Sequence, residues 1–373
     1  MEPRISEIRT LRPADMPEVT KLFQKIFRHS NQQPSPELSN YLQRLYIGFA
    51  GETVPASKIL IDTGGTISGF IGVHYFDYLC NGKTLKAAMV GSLMVDNHEQ
   101  DPLGGARLMR SLLDDGYDLI LTETASETTA AMWKKLNAVQ LTNYSLDWLR
   151  IIRPLGFAVD VAASILKVLS LLRPIANFID QRKRSAMLGN SLRWSATPQN
   201  WPAGQALRCT KIDTTEFATL YTQFANAFSD RPEWQNQQLH QRLEDALQKP
   251  DYGQAHMVKT ETKTGKAVGL FLIHLETGKV ARVLELFSHP KASAQVIDAL
   301  INYAAQAGAV AIRGRTQPDL MEAMLGKRIA FTHLASTMVW AKDADMLTPF
   351  VQGKALLNGL AGEHWSRLSG NLF

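Results

Sequence analysis

Cysteine is nearly absent: Cys80 and Cys209 are the only two in 373 residues. Two thiols make neither a disulfide framework nor a cysteine-based zinc site, and their scarcity fits a reducing compartment. No apolar run of about 18 residues is free of charge, so a spanning helix is not expected. The opening residues MEPRISEIRT lack a basic region followed by an apolar one, so a secretory signal is not expected there. The GxxxxGK[ST] phosphate loop, GxGxxG, the GxSxG elbow and HExxH are all missing, and the nine histidines show no paired spacing. No metal site is therefore expected. Net charge is also small, at +5, and it is local. Residues 151–200 hold seven basic groups (Arg153, Lys167, Arg173, Arg182, Lys183, Arg184, Arg193) against Asp160 and Asp180, which equals the whole excess. The rest is balanced, so a nucleic-acid partner is not expected.

What is present is a folded chain: 45% hydrophobic and 20% charged residues is the composition of globular protein rather than disorder. Its length is too great for one ordinary core and predicts two domains. A short strand at Ile8–Leu11 leads into a helix with Val19, Leu22, Phe23, Ile26 and Phe27 at helical spacing. Alternating runs flank Gly64-Gly65 and Asn81-Gly82, which are hairpin signals. A helix over about 104–115, a buried strand at 118–123 and a helix over about 126–136 follow, and TNYSLDWLR closes the first unit near 150. The second unit starts near 206 and repeats the order, with strands at 267–274, 280–287 and 309–313 and a closing strand at 335–341. Leu22, Gly69, His74 and Gly116 recur as Leu220, Gly269, His274 and Gly308 at offsets of about 192–200, a signal of internal duplication. The predicted organisation is 1–150, a basic and partly apolar helical linker over 151–205, and 206–373. In the linker, Val161–Leu172 is apolar except for Ser164, Lys167 and Ser170, and Pro174 is expected to end that helix. It reads either as a packed helix or as an interfacial one with Arg182-Lys183-Arg184 near anionic lipid.

The stretch VGSLMVDNHEQDPLGGARLMRSLL, residues 90–113, runs a strand into glycines that open a helix. Amides at such a start attract phosphate, and glycines allow close backbone approach. With the strand order around it, this stretch resembles the GNAT superfamily of acyl-CoA-dependent N-acyltransferases, well over 5–150 and more faintly over 206–342. The resemblance implies an α+β fold with two GNAT-like domains in tandem, each a mixed, mostly antiparallel central sheet flanked by helices. It implies acetyl-CoA or another acyl-CoA as co-substrate, held by Leu93 and Val95 of the fourth strand and by Gln100, Gly104, Gly105 and Ala106. Asp101 stands where the family has Gln or Arg, and Trp133 where it has a Tyr acid. Glu123 at the end of the fifth strand is the first candidate for the base that an amine acceptor needs, and Glu127 the second; both also suit the start of the next helix. His98 is a further candidate. His74 and His274 read as structural histidines. Glu285, with His289, reads as an acceptor-site pair or as a strand acid paired with a neighbouring cation.

The implied activity is transfer of an acyl group to a small-molecule primary amine by direct attack in a ternary complex. The second unit lacks the glycine pair and is expected to shape the acceptor pocket or a homodimer surface. The tail, Gly362-Glu363-His364-Trp365, resembles tandem GNAT-like proteins of bacterial surface-polysaccharide biosynthesis, which points to an amino sugar. Trp365 itself reads as a plug against the core. A cytoplasmic location is expected, with peripheral contact at the inner face of the membrane through 155–184. The alternatives are a non-catalytic GNAT-like module and an aminoacyl-tRNA-dependent transferase.

Overall fold

A computed structural model describes residues 6–48, 57–96, 99, 101–185 and 207–373. The first half runs β1 (Glu7–Thr10), α1 (Met16–Phe27), α2 (Pro36–Ile47), β2 (Lys58–Ile61), β3 (Ile67–Cys80) and β4 (Lys83–Val95). It continues through α3 (Gly104–Ser111), β5 (Leu119–Ala125), α4 (Glu127–Lys135), β6 (Val139–Gln140) and β7 (Leu146–Ile151). Two helices follow, α5 (Pro154–Ile165) and α6 (Arg173–Ser185). The second half runs β8 (Arg208–Lys211), α7 (Thr214–Ala225), β9 (Arg231–Pro232), α8 (Asn236–Leu247), β10 (Gln254–Glu261), β11 (Ala267–Leu275) and β12 (Val280–Ser288). Then come α9 (Ser293–Gln306), β13 (Ala311–Arg315), β14 (Ala330–His333) and β15 (Ser336–Ala341).

These elements build two mixed sheets flanked by helices, one of eight strands and one of seven. The first is ordered β1-β2-β3-β4-β5-β15-β6, with β9 paired to β3; the second is ordered β14-β7-β13-β12-β11-β10-β8. The architecture is α+β, as the resemblance implies, and the two sheets fit a tandem arrangement. In each, one central pair is parallel: β4 with β5, and β12 with β13.

The exchange of β7 and β15 corrects the expected closing strands. The strand inside TNYSLDWLR does not close the first sheet. It lies between β13 and β14, whereas β15 lies between β5 and β6. A period of two identifies a strand but not its partner, and the two units offer equivalent slots. Hydrogen bonds fix the crossing: Thr337 N donates to Ser145 Oγ (2.9 Å), Leu141 N to Thr337 O (2.9 Å) and Thr316 N to Leu146 O (2.9 Å). Beside it, the indole of Trp148 on β7 covers Gly314 on β13, where a Cβ would come within 2.8 Å of the ring. Gly314→Ala should therefore cost about 1–3 kcal/mol as an overpacked core position, read as a lower urea midpoint.

Helical spacing places the cores as expected. Val19, Leu22 and Phe23 of α1 pack with Phe217 and Tyr221 of α7 in one shared cluster, so α1 and α7 meet on a common core. Phe27 is the exception and is exposed. Leu108 and Met109 of α3 pack on the opposite face of the first sheet, with Val90, Ile120 and Trp133.

The linker differs from the single helix expected over Val161–Leu172. Helix α5 stops at Ile165, Leu166 is extended (φ −123°, ψ 96°), and 167–172 form a 3-10 helix. Polar residues three apart, the pattern of Lys167 and Ser170, suit a helix with three residues per turn. Pro174 begins α6 instead of ending its predecessor; in a first turn its missing N–H costs nothing.

Candidate active site

The parallel pair β4/β5 is hydrogen-bonded only from Ala87↔Leu119 to Met89↔Leu121. Beyond that, β4 continues to Val95 and β5 to Ala125 without pairing, and the two strands splay apart. Strand β4 is also bulged: Ser92 and Leu93 stand opposite Ile71 alone, and Ser92 adopts φ +51°. A non-glycine residue there is uncommon and marks a backbone held by its surroundings. Tyr46 Oη is 2.8 Å from Ser92 Oγ. The second sheet repeats the device. Leu284 is the extra residue of β12 between Val283 and Glu285, and β12 parts from β13 after Val283↔Gly314.

Of the residues expected at the co-substrate, Leu93 and Val95 are half-buried on the α3 face of β4. Gly104 and Gly105 open α3, both buried, and Ala106 follows them. A Cβ on Gly105 would make only ordinary contacts, 3.6 Å from Val95 and Met132, so the missing side chain leaves room beside β4. Gln100 and His98 lie outside the described residues. Asp101, the acid at a position where the family has Gln or Arg, is ion-paired with Arg107 one turn into α3. Its charge is therefore compensated within the helix start.

Glu123 is fully buried (0% exposed) at the end of β5. Its Oε2 accepts from the Glu363 amide at 2.8 Å and lies 2.9 Å from His364 Nδ1; its Oε1 lies 3.8 Å from Arg315 Nε. Burial alone would raise this carboxyl, but His364 and Arg315 outweigh it and hold it below the usual carboxylate range. Glu123 is thus ionised, with Oε2 hydrogen-bonded and Oε1 facing Arg315 without a hydrogen bond. Glu127 is not brought to it. It is exposed at the first position of α4, where Ser126 Oγ caps Thr129 N (3.2 Å) and an acid suits the helix dipole. Trp133 is buried in the core behind α4 and offers no acid.

The internal repeat explains Arg315. It follows Gly308 as Glu123 follows Gly116, seven residues later, and both glycines have positive φ. The two matching strand ends face each other and carry opposite charges.

The C-terminal segment fills the space between the sheets. Glu363 enters the β4/β5 splay, where its Oε2 accepts from the Glu123 amide (2.5 Å), the Thr124 amide (2.9 Å) and Thr124 Oγ1 (3.1 Å). A Cβ at Gly91 on β4 would collide with its carboxylate, so this glycine is what admits it. Burial raises Glu363 to about 7, and the neighbouring Glu123 charge adds to the effect. It lines a small cavity of about 40 Å³ with Tyr46, His74, Gly91 and Ser92. The segment also seals the second splay. Leu360 N donates to Glu285 Oε2 (3.0 Å), and burial pushes Glu285 up to about 8. Glu285 is ion-paired with neither of the cations near it in sequence, Arg282 and Lys291, and His289 is exposed, its ring accepting from Lys291 N. His274 Nε2 is 2.9 Å from Ala246 O, and burial lowers it to about 4, so it is a neutral structural histidine. Trp365 is buried in the core, with the Arg242 guanidinium 4.9 Å from its ring.

On the other side of Glu123 and His364, a cavity of about 210 Å³ opens toward β12 and β13. Arg282, Arg313, Arg315 and Lys249 face it, against Glu123 and Asp147. Asp147 engages Arg315 (3.3 Å) and Arg313 (3.5 Å), while Arg282 stacks on Tyr252 at 4.3 Å. Among the described residues no group of three His, Cys, Asp or Glu could hold a metal.

Sequence reasoning missed Glu363, His364 and Arg315. The tail offers Gly-Glu-His-Trp as a signal, yet nothing local says that it reaches a strand end some 240 residues away.

No protein-family model and no curated protein matches this chain. Solved structures do. A GCN5-related N-acetyltransferase of Kribbella flavida aligns with a TM-score of 0.56 at 15% identity, covering 92% of this chain and 72% of that one. Another, of Anabaena variabilis ATCC 29413, aligns with a TM-score of 0.59 at 8% identity over 92% and 74%. A probable N-acyltransferase of Enterococcus faecalis V583 aligns with a TM-score of 0.59 at 10% identity over the same shares. Together with the bulged fourth strand and the splayed parallel pair, these likenesses establish that the chain has the fold of the GNAT N-acetyltransferases.

Proposed function

We propose that the protein is an acyl-CoA-dependent N-acyltransferase whose first domain takes the acyl-CoA. The observation that carries this reading is a carboxyl group, Glu363, raised to about 7 and standing in the β4/β5 splay. A base for an amine is most effective with a pKa near the working pH. In the proposed reaction the free amine attacks the thioester carbonyl, the C–N bond forms, and the C–S bond breaks. The nitrogen's proton passes to Glu363, and CoA leaves as its thiolate. Amides of the bulged β4 polarise the carbonyl. Glu123 fixes the tail that carries the base. This places Glu123 in a positioning role and moves proton transfer to Glu363.

The acceptor is an amine that also bears an anionic group, such as an amino sugar on a phosphate-linked carrier. The three arginines around the larger cavity support this class, because guanidinium suits phosphate and carboxylate. The buried Trp133 in place of an acid favours a second reading, a non-catalytic module of the same fold.

Calorimetric titration with acetyl-CoA, longer acyl-CoAs and free CoA distinguishes them. The wild-type chain should bind, and Gly105→Glu, which fills the space beside Val95 and Met132, should lower affinity at least about tenfold. No binding by the folded wild-type chain would leave the non-catalytic reading.

A further inference from the structure

Helices α5 and α6 are built inside out. Their inward contacts are made by small residues, Gly156, Ala163 and Ala176. Gly156 packs so closely that a Cβ would come within 2.6 Å of Val310. Their large apolar side chains point away from the body, with Ile165 at 78% and Leu171 at 75% exposure. Of the sixteen exposed large hydrophobic residues among the described ones, ten fall between Leu155 and Ile179. On α6 and the turn before it, Leu171, Leu172, Ile175, Phe178 and Ile179 follow the spacing of one helical face, opposite Ala176 and Asp180. Scattered exposed leucines need no explanation, but a contiguous apolar face of this size marks a contact with something apolar.

Charge identifies the occupant. Both acids of the segment are turned to internal work. Asp160 pairs with Arg173 (2.8 Å) and accepts from Val280 N (3.1 Å). Asp180 is buried and accepts from Gly156 N (2.8 Å) and Leu155 N (3.3 Å), capping α5. The other charged residues that the sequence places in this segment are basic: Lys167, Arg182, Lys183 and Arg184, so the segment carries a net positive charge. No helix among the described residues is long and apolar enough to cross a membrane. A broad apolar face in a segment of net positive charge fits a bilayer surface, where apolar side chains enter the acyl boundary and basic residues favour anionic headgroups.

We infer that the α5–α6 pair docks this protein on an anionic lipid surface, lying in the interface without spanning it. The inference is independent of the acyl-transfer reading. The test is flotation of the full chain with vesicles of phosphatidylcholine alone and of phosphatidylcholine mixed with phosphatidylglycerol. The protein should float with the mixed vesicles and bind the neutral ones about tenfold less, or weaker still. Ile175→Glu with Phe178→Glu should abolish flotation; both residues are exposed, so circular dichroism should be unchanged. Reversing Arg182, Lys183 and Arg184 to Glu should remove the preference for the anionic mixture. Failure of the folded wild-type chain to float with either vesicle would overturn the inference. So would flotation unchanged by the Ile175/Phe178 pair. If light scattering instead showed a dimer that the same pair dissolves, without vesicle binding, the face would belong to a second copy and the lipid assignment would fall.

Discussion

Glu363→Gln lowers turnover by about 10²–10⁴-fold, the usual contribution of a positioned base, and leaves acyl-CoA affinity unchanged. A glutamine Oε can still accept from the Glu123 and Thr124 amides, so the tail stays in the splay. The loss is then chemical and not structural. The pH profile provides a second readout. Glu363 must be ionised to take a proton, so kcat/KM of the wild type rises with pH through about 7. In the variant that limb is absent. The titration belongs to a coupled group of Glu363, Glu123 and His364, and the midpoint is a property of the set. Turnover undiminished at saturating acyl-CoA and amine would remove Glu363 from the base role.

Glu123→Gln has its largest effect on stability. It removes the buried charge that His364 and Arg315 face, and breaking such a pair costs about 3–5 kcal/mol. The lower figure is expected because Asp147 remains 3.3 Å from Arg315. In urea the midpoint falls while the slope stays the same. The sign of the pH dependence follows from the two shifts. His364 is raised, so its contribution is complete below its unfolded value of 6.5 and is lost as pH rises through the folded value. Glu123 is lowered, so its contribution is complete above 4.5 and is lost as pH falls through its folded value. The difference in stability between wild type and variant is therefore greatest between those two unfolded values. Turnover per folded molecule falls less than in Glu363→Gln. An equal loss in both variants, at equal stability, would put Glu123 in the chemistry.

Much of the fold is legible in the sequence because its signals are local. Helical spacing in α1 and α7, the Asn81-Gly82 turn, and the glycines opening α3 each act through a few neighbouring residues. So does the duplication: Gly116 and Gly308 end their helical turns with positive φ before equivalent strands. The strand, loop and helix start that hold Leu93, Val95, Gly104 and Gly105 are legible on the same basis, since they are contiguous, whereas a co-substrate role for these residues comes from the resemblance alone. Glu123 is legible as a carboxylate at a strand end, though not by what surrounds it.

Three features depended on tertiary structure alone. The exchange of β7 and β15 is invisible locally, because hydrogen-bonding slots beside β5 and β13 accept the same alternating pattern. The charged centre joins Glu123, Arg315 and His364, each ordinary in its own stretch, and the shifts of Glu123 and Glu363 exist only once burial and the partners are in place. The linker shows the limit most plainly. Its sequence states that it is apolar and basic, while which face turns outward is decided by Gly156 against Val310 and by Asp180 capping α5. Composition fixes how much apolar surface a segment carries; only packing against the rest of the chain determines whether that surface is buried or presented.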